Sequence, residues 1–421
     1  MKKLPRIISI ILLLLNPMLS KAQPLPGDIF RQYIWTTGDF HQEFLRVTGD
    51  GDYREPVHHE KTFPESEFSD GWLIFPESLD LEHAIGAEIM VEKVLSHDGT
   101  RGLAVKRNDS PWITFPESEH IPSPQWDDLH HTFPVVEIPL HYLNEGKNNR
   151  LRFKVDSLQR FGMPQNILYG IHVFIYYDKK KEHSTGKVVL PGATALEEFQ
   201  SIELQPGQGK IKKVDFIGFY EDLDYNGDGL YKDWQRSWMR GELQNHMGSA
   251  EMAPWTIKWD TRWIPDQNSP VKIAAVIHSP NGISSISEAI EAEGFNRNYQ
   301  VILCKAFNQP KLWATREGEF TMAFDLNRNP KEAVSFQMAW NSWSPGYLNG
   351  VYLNDWLVFA REGENYTPHF QRITFDKPYM LNWGTNMIKT GKTPRINGNM
   401  VHGTEIQYPG FMVLVKFPLS N

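Results

Sequence analysis

Cysteine is almost absent: Cys304 is the single one in 421 residues. No intrachain disulfide can form, so a packed core has to supply the stability. Long apolar runs are missing too. Beyond the first 22 residues nothing approaches the roughly 20 apolar residues that a membrane-spanning helix needs, which argues against stable membrane association. An excess of basic charge is lacking, since the formal net charge is −8, and nucleic acid is therefore excluded as an expected partner. There is no G-x-S-x-G elbow and no H-E-x-x-H pair, so the common serine-hydrolase and zinc-protease routes have no motif. Cys304 lies in the apolar run Val301-Ile-Leu-Cys304 and reads as a buried thiol. Helical periodicity is scarce, and Ser284 to Glu293 is the clearest candidate helix.

The N-terminus has the layout of a secretory signal. Lys2, Lys3 and Arg6 form a basic stretch, Ile7 to Leu15 an apolar one, and Ser20-Lys21-Ala22 a small-x-small cleavage site. The mature chain is expected to begin at Gln23, in a secreted or periplasmic protein. Losing the four positive charges of the signal (Lys2, Lys3, Arg6, Lys21) takes the net charge from −8 to −12. No cysteine follows the apolar stretch, so a lipoprotein anchor is not expected.

Short apolar or alternating runs bounded by Gly, Pro, Asn and Asp fill the remainder. Examples are Trp72-Leu-Ile-Phe75, Ile171 to Tyr177, Ile273 to Ile277 and Phe411 to Phe417. This pattern predicts an all-β chain of sandwiches. Three segments follow the signal (1–22): 23–178, 183–279 with an Asp-rich loop, and 280–421. Phe-Pro-Glu-Ser recurs at Phe63, Phe75 and Phe115 with irregular spacing. Proline ends a strand by removing a ladder donor. The recurrence reads as a repeated strand-end device, or as Glu65, Glu77 and Glu117 gathered at one rim.

The most compact motif is Asp224-Tyr-Asn226-Gly227-Asp228-Gly229, with Asp233 beyond it. It matches the opening of an oxygen-ligand calcium loop, where alternate carboxylates turn toward one cation. The bidentate Glu of the twelfth position is Gln235 here. Asp224, Asn226, Asp228 and Asp233 are thus candidate ligands for a structural Ca²⁺, and a metal-free turn is the alternative. No cofactor is expected for chemistry. The loop lies in the middle segment, set apart along the chain from the other candidate residues.

Those others are diffuse. The chain has 15 His, and two adjacent pairs, His58-His59 and His130-His131, sit near carboxylates and aromatics. Neighbouring residues of a strand face opposite ways, so one histidine of each pair can face a cleft. In the third segment, Trp340-Asn341-Ser-Trp343 and Asn382-Trp383-Gly-Thr-Asn386 offer ring faces and amides suited to sugars, with core packing as the alternative.

Several of these stretches resemble known folds. Leu143-Asn-Glu-Gly146-Lys-Asn148 before an apolar strand, and Gly350-Val-Tyr-Leu-Asn354, are similar to strand-end motifs of galactose-binding-like jelly rolls. Asp355 stands where that family has glycine. The middle segment resembles an immunoglobulin-like sandwich. The whole resembles secreted jelly roll/immunoglobulin-like/jelly roll proteins of marine polysaccharide-degrading bacteria and, most narrowly, the oligosaccharide dehydratases that act on ulvan fragments. That resemblance implies a carbon–oxygen lyase that eliminates water from the terminal uronate of an acidic oligosaccharide and leaves a 4,5-unsaturated sugar. Under it, Arg54 or a lysine would neutralise the substrate carboxylate, His59 or His131 would be the base, and Tyr53 or the other histidine the acid. Trp343, Trp383, Asn341 and Asn386 would bind sugar. A non-catalytic carbohydrate-binding protein and a glycoside hydrolase are the alternatives.

Overall fold

The computed structural model describes residues 23–36, 45–51, 53–54, 68–75, 77–95, 100–122, 128–155, 166–192, 195–360, 363–365, 367–395, 398 and 403–419. Among these the chain is all-β. Antiparallel strands are joined by turns, and the helical pieces are single 3₁₀ turns such as Leu140–Tyr142 and Pro345–Tyr347. Among the described residues no helix is long and apolar enough to cross a membrane.

Strand Asn166–Tyr177 organises the first half. Every one of its residues is buried, because it is rich in β-branched and aromatic side chains and is covered on both faces. It runs antiparallel to Ile29–Thr36 on one side and Ala84–Leu95 on the other. On one face Leu168, Ile171, Val173 and Ile175 join a core with Leu73, Val105, Leu151 and Phe153 of a second, five-stranded sheet. On the other, Phe174 and Tyr176 pack with Phe30, Met90, Ile217 and Ala274.

This sheet does not stop where the first segment ends. Ile29–Thr36 also pairs with Ser284–Ile286, which pairs with Val271–His278 and so with Lys213–Glu221. Thirteen strands form one continuous sheet that spans the first two segments and takes in the start of the third. The helix expected over Ser284 to Glu293 is instead two short strands, Ser284–Ile286 and Ile290–Ala292, both paired with Val271–His278. The brief apolar spacing fits either period, and sheet pairing decided it. A four-stranded and a five-stranded sheet beginning at Tyr299 enclose a separate core around Trp313, Phe324, Trp340 and Phe411.

The Asp-rich loop docks these parts together. At Gly227 (φ 64°) an added Cβ would lie 2.4 Å from the His131 carbonyl oxygen, and at Gly229 (φ 90°) 2.6 Å from that of His120. Both positions need a left-handed backbone and no side chain. The Asp224 amide donates to the Met412 sulfur at 3.2 Å. So the loop, although distant in sequence, is packed on both flanking segments. Gly227→Ala is expected to cost about 2 kcal/mol or more by steric clash and backbone strain. Chemical denaturation checks this; an unchanged midpoint would show that the loop is not a docking element.

Candidate functional site

Two irregularities in strand pairing bring the site together. In Asn166–Tyr177, Leu168 faces Lys93 and Gly170 faces Glu92, which puts Tyr169 at the bulge. In Ser335–Trp343, Trp340 faces Phe411 and Ser342 faces Ile406, with Asn341 at the shift. Bulges bend a strand and re-aim the side chain they carry. Here they bring a tyrosine and an asparagine from separate sheets into one buried polar cluster.

His131 is its centre. It lies in the short strand His131–Thr132 beside Lys93 and Val94 and is 3 % exposed. Its Nε2–H donates to Glu92 Oε1 at 3.1 Å, and its Nδ1 accepts from Asn341 Nδ2 at 3.0 Å. A carboxylate can only accept, so Glu92 fixes this tautomer and leaves Nδ1 as the basic nitrogen. The second Glu92 oxygen accepts the Arg240 amide at 2.7 Å. Glu92 itself is fully buried. Arg240 Nη2 donates to Thr367 Oγ1 at 3.0 Å, and its guanidinium carbon stands 4.8 Å from the Tyr169 ring centroid. Trp343 Nε1 donates to the Tyr169 hydroxyl at 2.8 Å. Burial, above all, raises the Tyr169 pKa, so that hydroxyl keeps its proton.

Arg240 occupies a costly backbone position. With Gly241 it forms the turn between Ser237–Met239 and Glu242–Gln244, and both turn residues have positive φ (52° and 84°). This is the conformation that favours Asn-Gly. An arginine there costs on the order of 1 kcal/mol or more. Its amide bond to Glu92 and its guanidinium contacts offset that cost.

The expected site residues fall into four groups. His131, Asn341 and Trp343 meet in this cluster. Tyr53 does not take part in it through its hydroxyl, which donates to Gly71 O at 2.9 Å and accepts from Phe153 N at 3.0 Å; burial pushes its pKa up to about 12. It ties two backbone segments of the first domain. His59 lies outside the described residues, and Arg54 is described only as backbone in strand Tyr53–Arg54. Trp383 and Asn386 belong to a different surface. Asn386 is fully buried and bonds Asn382, Gly384 and Asn354, so it shapes the loop. Trp383 is 68 % exposed.

The fourth group is the Asp loop, and its residues do converge, as a hydrogen-bonded turn. Asn226 Nδ2 donates to Asp228 Oδ2 (3.2 Å) and Asp233 Oδ2 (3.1 Å). Asp224 accepts the amides of Asp228 and Gly229, and Asp228 accepts that of Leu230. Asn226 Oδ1 is buried and has no hydrogen-bond partner among the described residues. Among the described residues no group of three or more His, Cys, Asp or Glu is placed to hold a metal. Converging carboxylates and an unbonded amide oxygen are the donor types a calcium loop uses, and the same residues also close the turn by hydrogen bonds.

Sequence reasoning missed Glu92, Tyr169 and Arg240. Signals for them exist: a carboxylate inside the apolar run Ile89-Met-Val-Glu-Lys-Val94, and an Arg-Gly turn between two strand-like stretches. Neither tells which partners the fold will supply.

No protein-family model matches the chain, and no curated protein matches it. Among solved structures, a β-porphyranase of glycoside hydrolase family 86 from the human gut bacterium Bacteroides plebeius superposes at TM-score 0.23 and 11 % identity. The match covers 56 % of this chain and 37 % of that one. A family 86 enzyme in complex with neoagarooctaose gives 0.22 and 10 %, over 56 % and 33 %. The chain therefore spans about a third of these proteins' length. The Arabidopsis thaliana ANX2 ectodomain gives 0.19 and 8 %, over 89 % and 88 %. Superpositions this loose carry no argument about fold or activity.

Burial, the first cause, and the Asp228 charge raise the Asp233 pKa to about 7. A folded-state pKa above the unfolded value means that folding is helped by the proton. Stability should be greatest below the ordinary carboxylate range and decline as pH rises to about 7. Asp233→Asn should flatten that decline and raise the melting temperature above neutrality. Calcium titrated into the wild type checks the expected ligand set: a concentration-dependent rise in melting temperature places a cation in the loop, and an unchanged value leaves it a metal-free turn.

Proposed function

We propose that the chain is a secreted carbon–oxygen lyase that removes water from the terminal uronate of an acidic oligosaccharide. One observation supports this above the others: His131 is held by Glu92 with Nδ1 basic, in one cluster with an amide, an arginine and a protonated tyrosine. Elimination at a uronate asks for those groups. The C5 proton is weakly acidic while the neighbouring carboxylate keeps its charge, so that charge must be matched by donors as the carbanion develops.

In this reading the Arg240 guanidinium and the Asn341 amide face the carboxylate. Asn341 turns from His131 to the substrate and frees Nδ1. His131 takes the C5 proton as the C5–H bond breaks, and the pair of electrons forms the C4–C5 double bond. The C4–O bond breaks, and the Tyr169 hydroxyl gives its proton to the departing oxygen, which leaves as water. Passing the proton from His131 to Tyr169 restores both groups. Trp343 keeps the tyrosine in place and supplies an apolar face.

Uronate-terminated oligosaccharides of ulvan type test the reading. Wild type should yield a product lighter by one water, with the ultraviolet absorbance of a conjugated uronate. His131→Ala and Tyr169→Phe should each lower kcat by about 10²–10⁴-fold; the melting temperature should hold in Tyr169→Phe and fall in His131→Ala, which leaves the buried Glu92 without its ring partner. Undiminished elimination in both variants sinks the assignment, and a product heavier by one water would make the chain a hydrolase.

A binding role is favoured by a separate observation. Trp356, Tyr379 and Trp383 are exposed by 45, 63 and 68 %, and the loops that carry them are knitted by Asn354 to Met380 and Asn386. Such exposed rings offer stacking faces to sugars. If the chain only binds, Trp383→Ala should abolish retention on immobilised polysaccharide, and no substrate should change mass.

A further inference from the structure

His130, just before the strand His131–Thr132, and His131 at its start have different surroundings. His131 faces the cluster above, while His130 lines a cavity of about 310 Å³ with Lys93, Glu117, Asp228, Asp233 and Trp234. Its volume falls in the usual small-molecule range, about 300–1,000 Å³. A second hollow of about 360 Å³ shares Lys93, Glu117 and His130 and adds Arg101. Nothing in the proposed elimination uses these groups.

Lys93 is the unusual member. It projects from the central sheet strand Ala84–Leu95, and among the described residues no hydrogen bond or ion pair holds its ammonium. Glu117, itself exposed, is the carboxylate whose field reaches it. Burial draws the Lys93 pKa down to about 8, so at neutral pH most of it carries a charge with no fixed partner. Lys93 is half-buried at the cavity wall, and an ammonium with no bonded carboxylate there gains a charge-assisted contact from an anion that enters. The rest of the lining limits that anion. Three carboxylates, Glu117, Asp228 and Asp233, disfavour a multiply charged group such as a phosphate dianion. They suit a molecule that brings hydroxyl donors along with its charge. His130 stays neutral, because burial and then Lys93 pull its pKa down to about 3. Its Nδ1 donates to Asp128 O at 2.8 Å, which leaves Nε2 as a further acceptor. Phe133 and Trp234 add apolar ring faces.

We propose that this cavity binds a singly charged sugar unit, carboxylated or sulfated, with the Lys93 ammonium as anion anchor and His130, Asp228 and Asp233 accepting from its hydroxyls. The site is distinct from the His131 cluster and does not depend on the elimination.

Reductive methylation of the full-length wild type, read by peptide mass mapping, tests it without a variant. Saturating glucuronate or glucose 6-sulfate should protect Lys93, and glucose should not. Which anion protects tells carboxylate from sulfate ester. Calorimetric titration should then show affinity lower by about tenfold or more in Lys93→Met, as expected for a lost charge-assisted contact. Tyr169→Phe, which leaves the His131–Glu92 pair in place, should keep the protection even where elimination is lost. Equal methylation of Lys93 with both anions and with glucose would overturn the proposal, as would protection that disappears in Tyr169→Phe.

Discussion

A fully buried carboxylate governs the assembly. Glu92 sits in the middle of the central sheet, where an unpaired charge would cost several kcal/mol. Both oxygens are satisfied, one by the His131 ring and one by the Arg240 amide. His131 is then bound to Asn341, and Arg240 to Thr367. A single desolvation problem therefore links all three segments of the chain. Removing one partner would leave a buried charge exposed to an apolar surrounding, which is why the fold holds an arginine in a left-handed turn to avoid it.

The same constraint makes the cluster suited to chemistry. A histidine held on one nitrogen by a carboxylate has a fixed tautomer and a fixed ring plane. Orientation is supplied before any substrate arrives, and little reorganisation is left for the reaction. Tyr169 and Asn341 reach it because each lies at a register shift, where the sheet stops dictating the side-chain direction. The Asp-rich loop serves beside this as a wedge. Its two glycines accept the backbones of His120 and His131 at distances that no side chain permits, and its carboxylates border the cavity opposite Lys93.

How much of this could be read along the chain differs by feature. The all-β class was legible, because short apolar runs between turn residues have few other solutions. Ser284 to Glu293 was misread, since a brief run fits either period and its pairing with Val271–His278 is a non-local fact. The His130-His131 pair was visible as a place where chemistry is available. Alternation along a strand showed that the two would part, but which one faces a cavity depends on what packs against the strand. Trp343 and Trp383 look alike in sequence, yet one is buried against Tyr169 and the other lies in solvent.

By itself, then, the sequence determined the strand-rich class, the absence of disulfides, the acidic balance and the supply of histidine, tryptophan and carboxylate. These follow from composition and from patterns within about ten residues. Tertiary structure alone decided that Glu92, His131, Arg240 and Asn341 meet, that the Asp loop closes on its own amides, and that Lys93 faces a cavity. Each depends on partners that lie tens to hundreds of residues apart. A buried charge is stabilised by whichever groups the fold brings within about 3 Å, and no local pattern records which groups those are.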